Sequence, residues 1–251
     1  MSRFLVALRF SLLQQVRNVQ GMLFLLGMPL IIIPILGSVF SWIPADTEYL
    51  KGAANTATFF AIGMMVLFQL FGASLGMTSV RAMFLTPRRW RVHATPCRPA
   101  PILLGIIGAT TLVSLAQGLL LAAFSRVFLG ARFGSLGAVI LTLLGIALLS
   151  QLIGVVLVLL VRNTTAAFVL GWIVAYGSGV LGGIIFPLPT RVPFFRFTMT
   201  YGSPFSLAQT ALLDSSRGGP SGEMALCIGV LFIAAAVLAL LTAVLGRRRL
   251  A

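Results

Sequence analysis

Charge is scarce in this chain. Asp, Glu, Lys and Arg make up only 9% of its 251 residues, and just four of them are acidic. A soluble domain of this length could not cover its surface with so few charges. Lysine occurs once, at Lys51, so no Gly-x4-Gly-Lys-Ser/Thr phosphate loop exists and any ATP energy has to come from another polypeptide. Histidine also occurs once, at His93. Gly177-Ser178-Gly179 therefore has no His or Lys in an apolar run to activate the serine, and an enzyme is not expected. The two cysteines, Cys97 and Cys227, fall in a basic loop and in the last apolar run, which predicts no disulfide, and neither has partners at metal-ligand spacing.

Apolar length is abundant. Hydrophobic residues make up 59% of the chain, mean hydropathy is +1.08, and several runs reach the roughly 20 residues that cross a ~30 Å hydrocarbon core. The pattern predicts an all-α integral membrane protein forming a single membrane domain, residues 1–251, with six transmembrane helices. These lie at about residues 21–41, 55–80, 101–124, 135–161, 165–186 and 224–246. Residues 2–19 read as an amphipathic interfacial helix, with Phe4, Leu5, Leu8, Leu12, Val16 and Val19 on one face and Arg3, Gln14, Arg17 and Asn18 opposite. An N-terminal extension of the first span is the alternative. Residues 187–222 are too apolar for a free loop and too interrupted to span, which predicts short re-entrant helices in the outer leaflet.

The net charge of +14 is distributed by topology. Twelve positive residues and no carboxylate fall on the side assigned to the cytoplasm, against six positive residues and all four carboxylates outside. That asymmetry places both termini inside and accounts for the arginines without nucleic acid.

The densest basic cluster is 81–100, with five arginines between two spans. Lipid anchoring could explain the arginines. It does not explain why Thr86-Pro87 and Thr95-Pro96 frame Arg88-Arg89-Trp90-Arg91-Val92-His93, which reads as a short helix offered to a soluble partner. Arg88, Arg89, Trp90, Arg91, His93 and Thr95 are the expected docking residues.

No span contains an internal ionisable residue, which argues against an ion-coupled carrier. What the spans contain is amides and small residues. Gln69, Gln117 and Gln151 serve either as interhelical packing bonds or as lining of a polar route, with Trp172 and Tyr176 weighed in the same way. Gly171, Ala175, Gly179 and Gly183 recur every four residues and suit close helix packing, within or between subunits, or a conformational pathway.

In this order, the amphipathic start, the Pro-containing first span, the basic loop ending in His93-Ala-Thr-Pro96, Gly182-Gly-Ile-Ile-Phe-Pro187 and Ser203-Pro204-Phe-Ser-Leu resemble the membrane subunit of ABC-type exporters of the second permease class. The resemblance covers nearly the whole length. It implies a transport subunit in a bacterial cell membrane, paired with a second permease copy or paralogue and two ABC ATPase subunits. ATP and Mg would be bound by the ATPases, with no cofactor in this chain, and a small amphipathic compound or lipid would leave along the second and fifth spans. Two features depart from the family pattern: the loop has Arg81-Ala-Met-Phe-Leu where acidic residues and a glycine are usual, and Ser203-Pro204 stands in place of Asn-Pro. A secondary drug carrier and a non-transporting membrane or immunity protein are the competing classes.

Overall fold

The computed structural model describes residues 3–40, 53, 55–86, 99–161, 163–183, 192–218 and 221–250. The expected docking residues Arg88, Arg89, Trp90, Arg91, His93 and Thr95, and the end of the fifth apolar run, lie outside the described residues. Nine helices and no strand occur among the described residues, counting helices joined end to end as one: α1 Arg3–Arg17, α2 Val19–Val39, α3 Thr56–Leu85, α4 Pro99–Leu129, α5 Leu136–Leu160, α6 Thr164–Leu181, α7 Pro193–Tyr201, α8 Pro204–Ser216 and α9 Gly222–Leu250.

Five of these, α2, α3, α4, α5 and α9, are long and apolar enough to cross a membrane. The expected fifth span, α6, has 18 residues, or about 27 Å at the helical rise. It stops at Gly182, and Gly183 follows with φ 75°, a left-handed conformation that ends a helix readily only at glycine. Residues 187–222 yield two short helices, α7 and α8.

Helix starts follow side-chain chemistry. Asn18, Asn55, Ser135, Asn163 and Ser203 each accept from a backbone N–H of the turn they open, and Ser221 does the same for Met224 N at the start of α9. Ser203 thus caps α8 with Pro204 in its first turn. The cap at Asn18 also separates α1 from α2, so α1 is a helix of its own and not an extension of the first span.

Burial sets the arrangement. In α3, 94% of the most apolar window is buried, against 17% in α2 and 22% in α9, so α3 is the axis and the other two form the rim. Around α3 pack α2, α4, α5, α6 and α8, while α9 leans on α5 and α8. The short helix α8 belongs to this core, with Phe205, Ala208, Ala211 and Leu212 fully enclosed. Rim helices expose Ile31, Ile35, Ile233, Val237 and Leu240, as expected where the solvent is lipid.

The same logic shapes α1. Its buried face carries Ser11 and Gln15, each 2% exposed, whereas Leu5, Phe10, Leu13 and Val16 point outward. Gln15 Nε2 donates to Ser79 Oγ on α3. At Gly105 of α4 an added Cβ would lie 2.7 Å from Ala7 Cβ, so the two helices touch backbone to backbone. The apolar positions of α1 thus largely face away from the protein, and its few small and polar groups make the contact.

Candidate functional site

Two features stand out around α3, an aromatic face toward the outside of the subunit and an amide seam within it. The face begins with Phe24 of α2, Phe68 and Phe71 of α3, and Trp172 and Tyr176 of α6. Ring centroids lie 5.7 Å apart for Phe24 and Trp172, 4.9 Å for Phe71 and Trp172, and 5.1 Å for Phe71 and Tyr176, all within the range of favourable aromatic contact. Phe71 is buried, but Trp172 and Tyr176 are 37% and 49% exposed, so the cluster has an open side. Beside it, Ser74, Met77, Phe168 and Gly171 line a shallow recess between α3 and α6.

The small residues of α6 point the other way. A Cβ at Gly171 would meet Met77 Cε at 2.6 Å, Ala175 and Gly179 are buried, and a Cβ at Gly183 would meet Met199 Cε at 2.8 Å. A Cβ at Gly182 would lie 2.2 Å from Phe205 Cδ1. The stripe therefore packs α6 against α3 and α7 of the same chain, Gly182 beside it meets α8, and the last member of the stripe lies beyond the helix. The opposite face of α6, with Trp172, Ile173 and Tyr176, is the one left open.

The amides sit in the seam. Gln69 and Gln151 are 0% exposed and Gln117 is 5% exposed. Gln69 Nε2 donates to the Ser114 carbonyl at 2.6 Å, joining α3 to α4. Gln151 Nε2 donates to the Gly72 carbonyl at 2.9 Å and to Ser114 Oγ at 3.0 Å, and Gln151 Oε1 accepts from Gly76 N at 3.1 Å. Neither Gln69 nor Gln151 reaches the surface of this subunit. In an apolar medium a side-chain amide takes the nearest backbone partner, which draws it between helices and away from an opening.

Gln117 has a different task. Pro29 has no N–H to offer the Leu25 carbonyl one turn before it, and Gln117 Nε2 donates to that carbonyl at 2.6 Å. Its other end, Oε1, has no donor among the described residues. Replacing Gln117 with leucine removes one orphaned acceptor, Oε1, but leaves the buried Leu25 carbonyl without this donor, so the expected cost is about 1–2 kcal/mol. Unfolding in detergent measures it, and a much larger loss would mean that α2 depends on this donor.

Sequence reasoning missed Ser114, Gly72 and Gly76, which take up the ends of Gln151, and Phe24 and Phe71, which complete the aromatic face. A proline one turn after a carbonyl with no other donor is a legible signal for Gln117. Nothing in the local pattern marks Ser114.

At the start of α9, Tyr201 of α7 donates to Glu223 Oε1 at 2.9 Å. That hydrogen bond, with smaller contributions from burial and the carboxylate charge, raises the phenol above its ordinary pKa. Ser221 Oγ donates to Asp214 Oδ2, so both described carboxylates serve to tie α7 and α8 to the start of α9.

No group of three or more potential metal ligands occurs among the described residues. The site is thus a set of apolar helices with one open aromatic face, one buried amide seam and a basic loop between α3 and α4. None of the curated proteins compared with the chain matches it. The family described as ABC-2 type transporter matches residues 2–215, a stretch that takes in α1 and nearly all of α8. With most of its length covered by that match and five helices fit to cross a bilayer, this multi-pass membrane protein belongs to the ABC-2 type transporter family, as the permease component of an ABC transporter.

Proposed function

We infer that the chain is one half of the membrane channel of an ATP-driven exporter, moving a small amphipathic compound or lipid out of the cytoplasm. The observation that carries this reading is the open aromatic face on α6, set against the buried axis α3 that leads into the basic loop. Aromatic rings with one solvated side suit amphipathic ligands, and the absence of ionisable groups from the spans leaves ATP hydrolysis in a partner as the energy source. A second permease copy or paralogue completes the channel, and two ABC ATPase subunits, which bind ATP and Mg in their own sites, dock at the 81–100 loop. In this layout α6 makes a further crossing to give six, both termini are cytoplasmic, and the membrane is a bacterial inner membrane. Trp172 and Tyr176 front the substrate path. Gln69 and Gln151 join it only in a state where α3 has parted from α4 and α5.

Co-purification tests the reading. Expressed from its native operon and extracted in mild detergent, the chain should carry a nucleotide-binding polypeptide at one-to-one stoichiometry, with vanadate-sensitive ATPase activity. A permease that purifies with no nucleotide-binding partner, and whose dye efflux in vesicles persists without ATP, would establish a secondary carrier instead.

A further inference from the structure

We propose that Gln151 is the pivot of α3, its side-chain amide standing in for a backbone hydrogen bond at Gly72 so that the half of the helix nearer the basic loop can swing. The groups involved are those an unbroken helix pairs with each other, the carbonyl of residue 72 and the N–H of residue 76. Here the Gly72 carbonyl takes Leu75 N at 2.9 Å and Gln151 Nε2 at 2.9 Å, while Gly76 N turns to Gln151 Oε1 at 3.1 Å. One amide thus bridges donor and acceptor within the ladder of a neighbouring helix. A side chain inserted there is an established cause of helix bending.

The surroundings are cut to fit this insertion. A Cβ at Gly76 would lie 2.8 Å from Gln151 Oε1, one at Gly72 would lie 2.9 Å from Ser114 Oγ, and one at Gly154, a turn beyond Gln151, would lie 2.6 Å from the Ala73 carbonyl. All three positions need glycine for the amide to enter. Further along, Arg81–Leu85 is wound as a π-helix, a second irregularity in the same half of α3, leading directly to the loop.

The break divides α3 by role. Phe68 and Phe71 of the aromatic face precede Gly72, and the segment that continues into the basic loop follows it. Gln151 also has an alternative open to it: if the amide withdraws, the 72 carbonyl and the 76 N–H can bond directly and α3 straightens. With the freed amide paired elsewhere in the moved state, these two arrangements make a bistable element, which is what a hinge between a driven loop and a substrate face requires. This coupling role rests on the ATP-driven reading above, whereas the pivot itself does not.

Hydrogen–deuterium exchange in lipid nanodiscs tests both parts, using wild type, Gln151→Leu, Gln151→Asn and Gln151→Glu. Leucine cannot bridge, and asparagine is too short to reach both groups. A buried neutral glutamic acid retains one donor and one acceptor and should rescue. In the full-length permease alone, deuterium uptake over residues 72–80 should fall at least threefold in Gln151→Leu and Gln151→Asn, because the direct bond re-forms, and should match wild type in Gln151→Glu. Unchanged or increased uptake in both variants would overturn the pivot, as a merely structural amide would loosen the segment when removed. In the complex with its ATPase, wild-type uptake over 72–80 should change at least threefold between the nucleotide-free and vanadate-trapped states. The same change in Gln151→Leu, or none in wild type, would overturn the coupling role. Failure to recover any ATPase would sink the exporter reading while leaving the exchange result on the permease decisive for the pivot.

Discussion

Replacing Gly134 with alanine should destabilise the protein by roughly 2–5 kcal/mol, the largest stability effect expected of any single methyl addition here. Gly134 has φ 64°, and its Cβ would lie 1.9 Å from the Ser215 carbonyl oxygen, an obstacle made of backbone that cannot rotate aside. The surrounding turn is held on both sides. Arg132 N donates to Thr58 Oγ1 at 2.9 Å near the start of α3, and Ser215 Oγ reaches the Phe133 carbonyl at 3.4 Å near the end of α8. Gly130 provides the control, because it has the same φ of 64° with nothing within 4 Å of an added Cβ. Gly130→Ala should therefore cost only the backbone term, about 1–2 kcal/mol. Thermal or denaturant unfolding of the two variants in the same detergent isolates the contact. Equal losses would show that α8 does not press on this turn.

Charge reversal at Arg91 should reduce ATP-dependent export at least tenfold, about 1.4 kcal/mol of coupling, while leaving abundance in the membrane within twofold of wild type. Trp90→Ala should act in the same direction. The argument starts from the two ends of the loop. Thr86 is extended at φ −95° and ψ 165°, as required of a residue before Pro87, and its hydroxyl bonds back to the Ala82 carbonyl at 2.9 Å, closing α3. Pro99 opens α4. The loop is thus suspended between the buried axis of the fold and the helix joined to it by Gln69, and force applied there enters the core directly. A partner that binds through cation and indole contacts loses both with these substitutions, whereas Arg91→Lys keeps the charge and should retain most transport. Inverted vesicles with and without ATP provide the measurement. Wild-type rates for both Arg91→Glu and Trp90→Ala would remove the loop from the coupling route.

Several features were legible because they depend on local chemistry. The apolar runs expected at 21–41 and 135–161 coincide with α2 and α5 to within two residues, since hydrocarbon thickness and helical rise set length without reference to neighbours. Other boundaries moved, and α4 runs on to Leu129. α3 continues to Leu85 as a π-helix, five residues past the expected end, because its apolar contacts with the core carry it into the first basic residues. α6 ends early, at Leu181, because Gly183 turns left-handed at φ 75°, and the close approach of Phe205 leaves room only for glycine at 182.

The side to which each face turns was not legible. Period 3.6 identifies a stripe, but in lipid an apolar stripe has no reason to turn inward, so α1 buries Ser11 and Gln15 and presents Phe10 and Val16 to the outside. For the same reason the small residues of α6 proved to be its inner face, and Trp172 its outer one. The glutamines illustrate the other limit. Their presence in spans announces interhelical bonds, yet the partner is a backbone atom or a serine dozens of residues away, as between Gln151 and Gly72 or Gln117 and Leu25.

Amino-acid order alone determined that this chain lives in a membrane, where its helices start, and that it carries no phosphate-loop motif of its own. These follow from solvation, capping and composition, which act on each segment separately. Tertiary structure alone decided that α3 is the axis, that α8 belongs to the core, and that an amide from α5 enters the hydrogen-bond ladder of α3. Those outcomes depend on which backbones can approach one another, and that is set by glycines and carbonyls meeting across helices far apart in sequence.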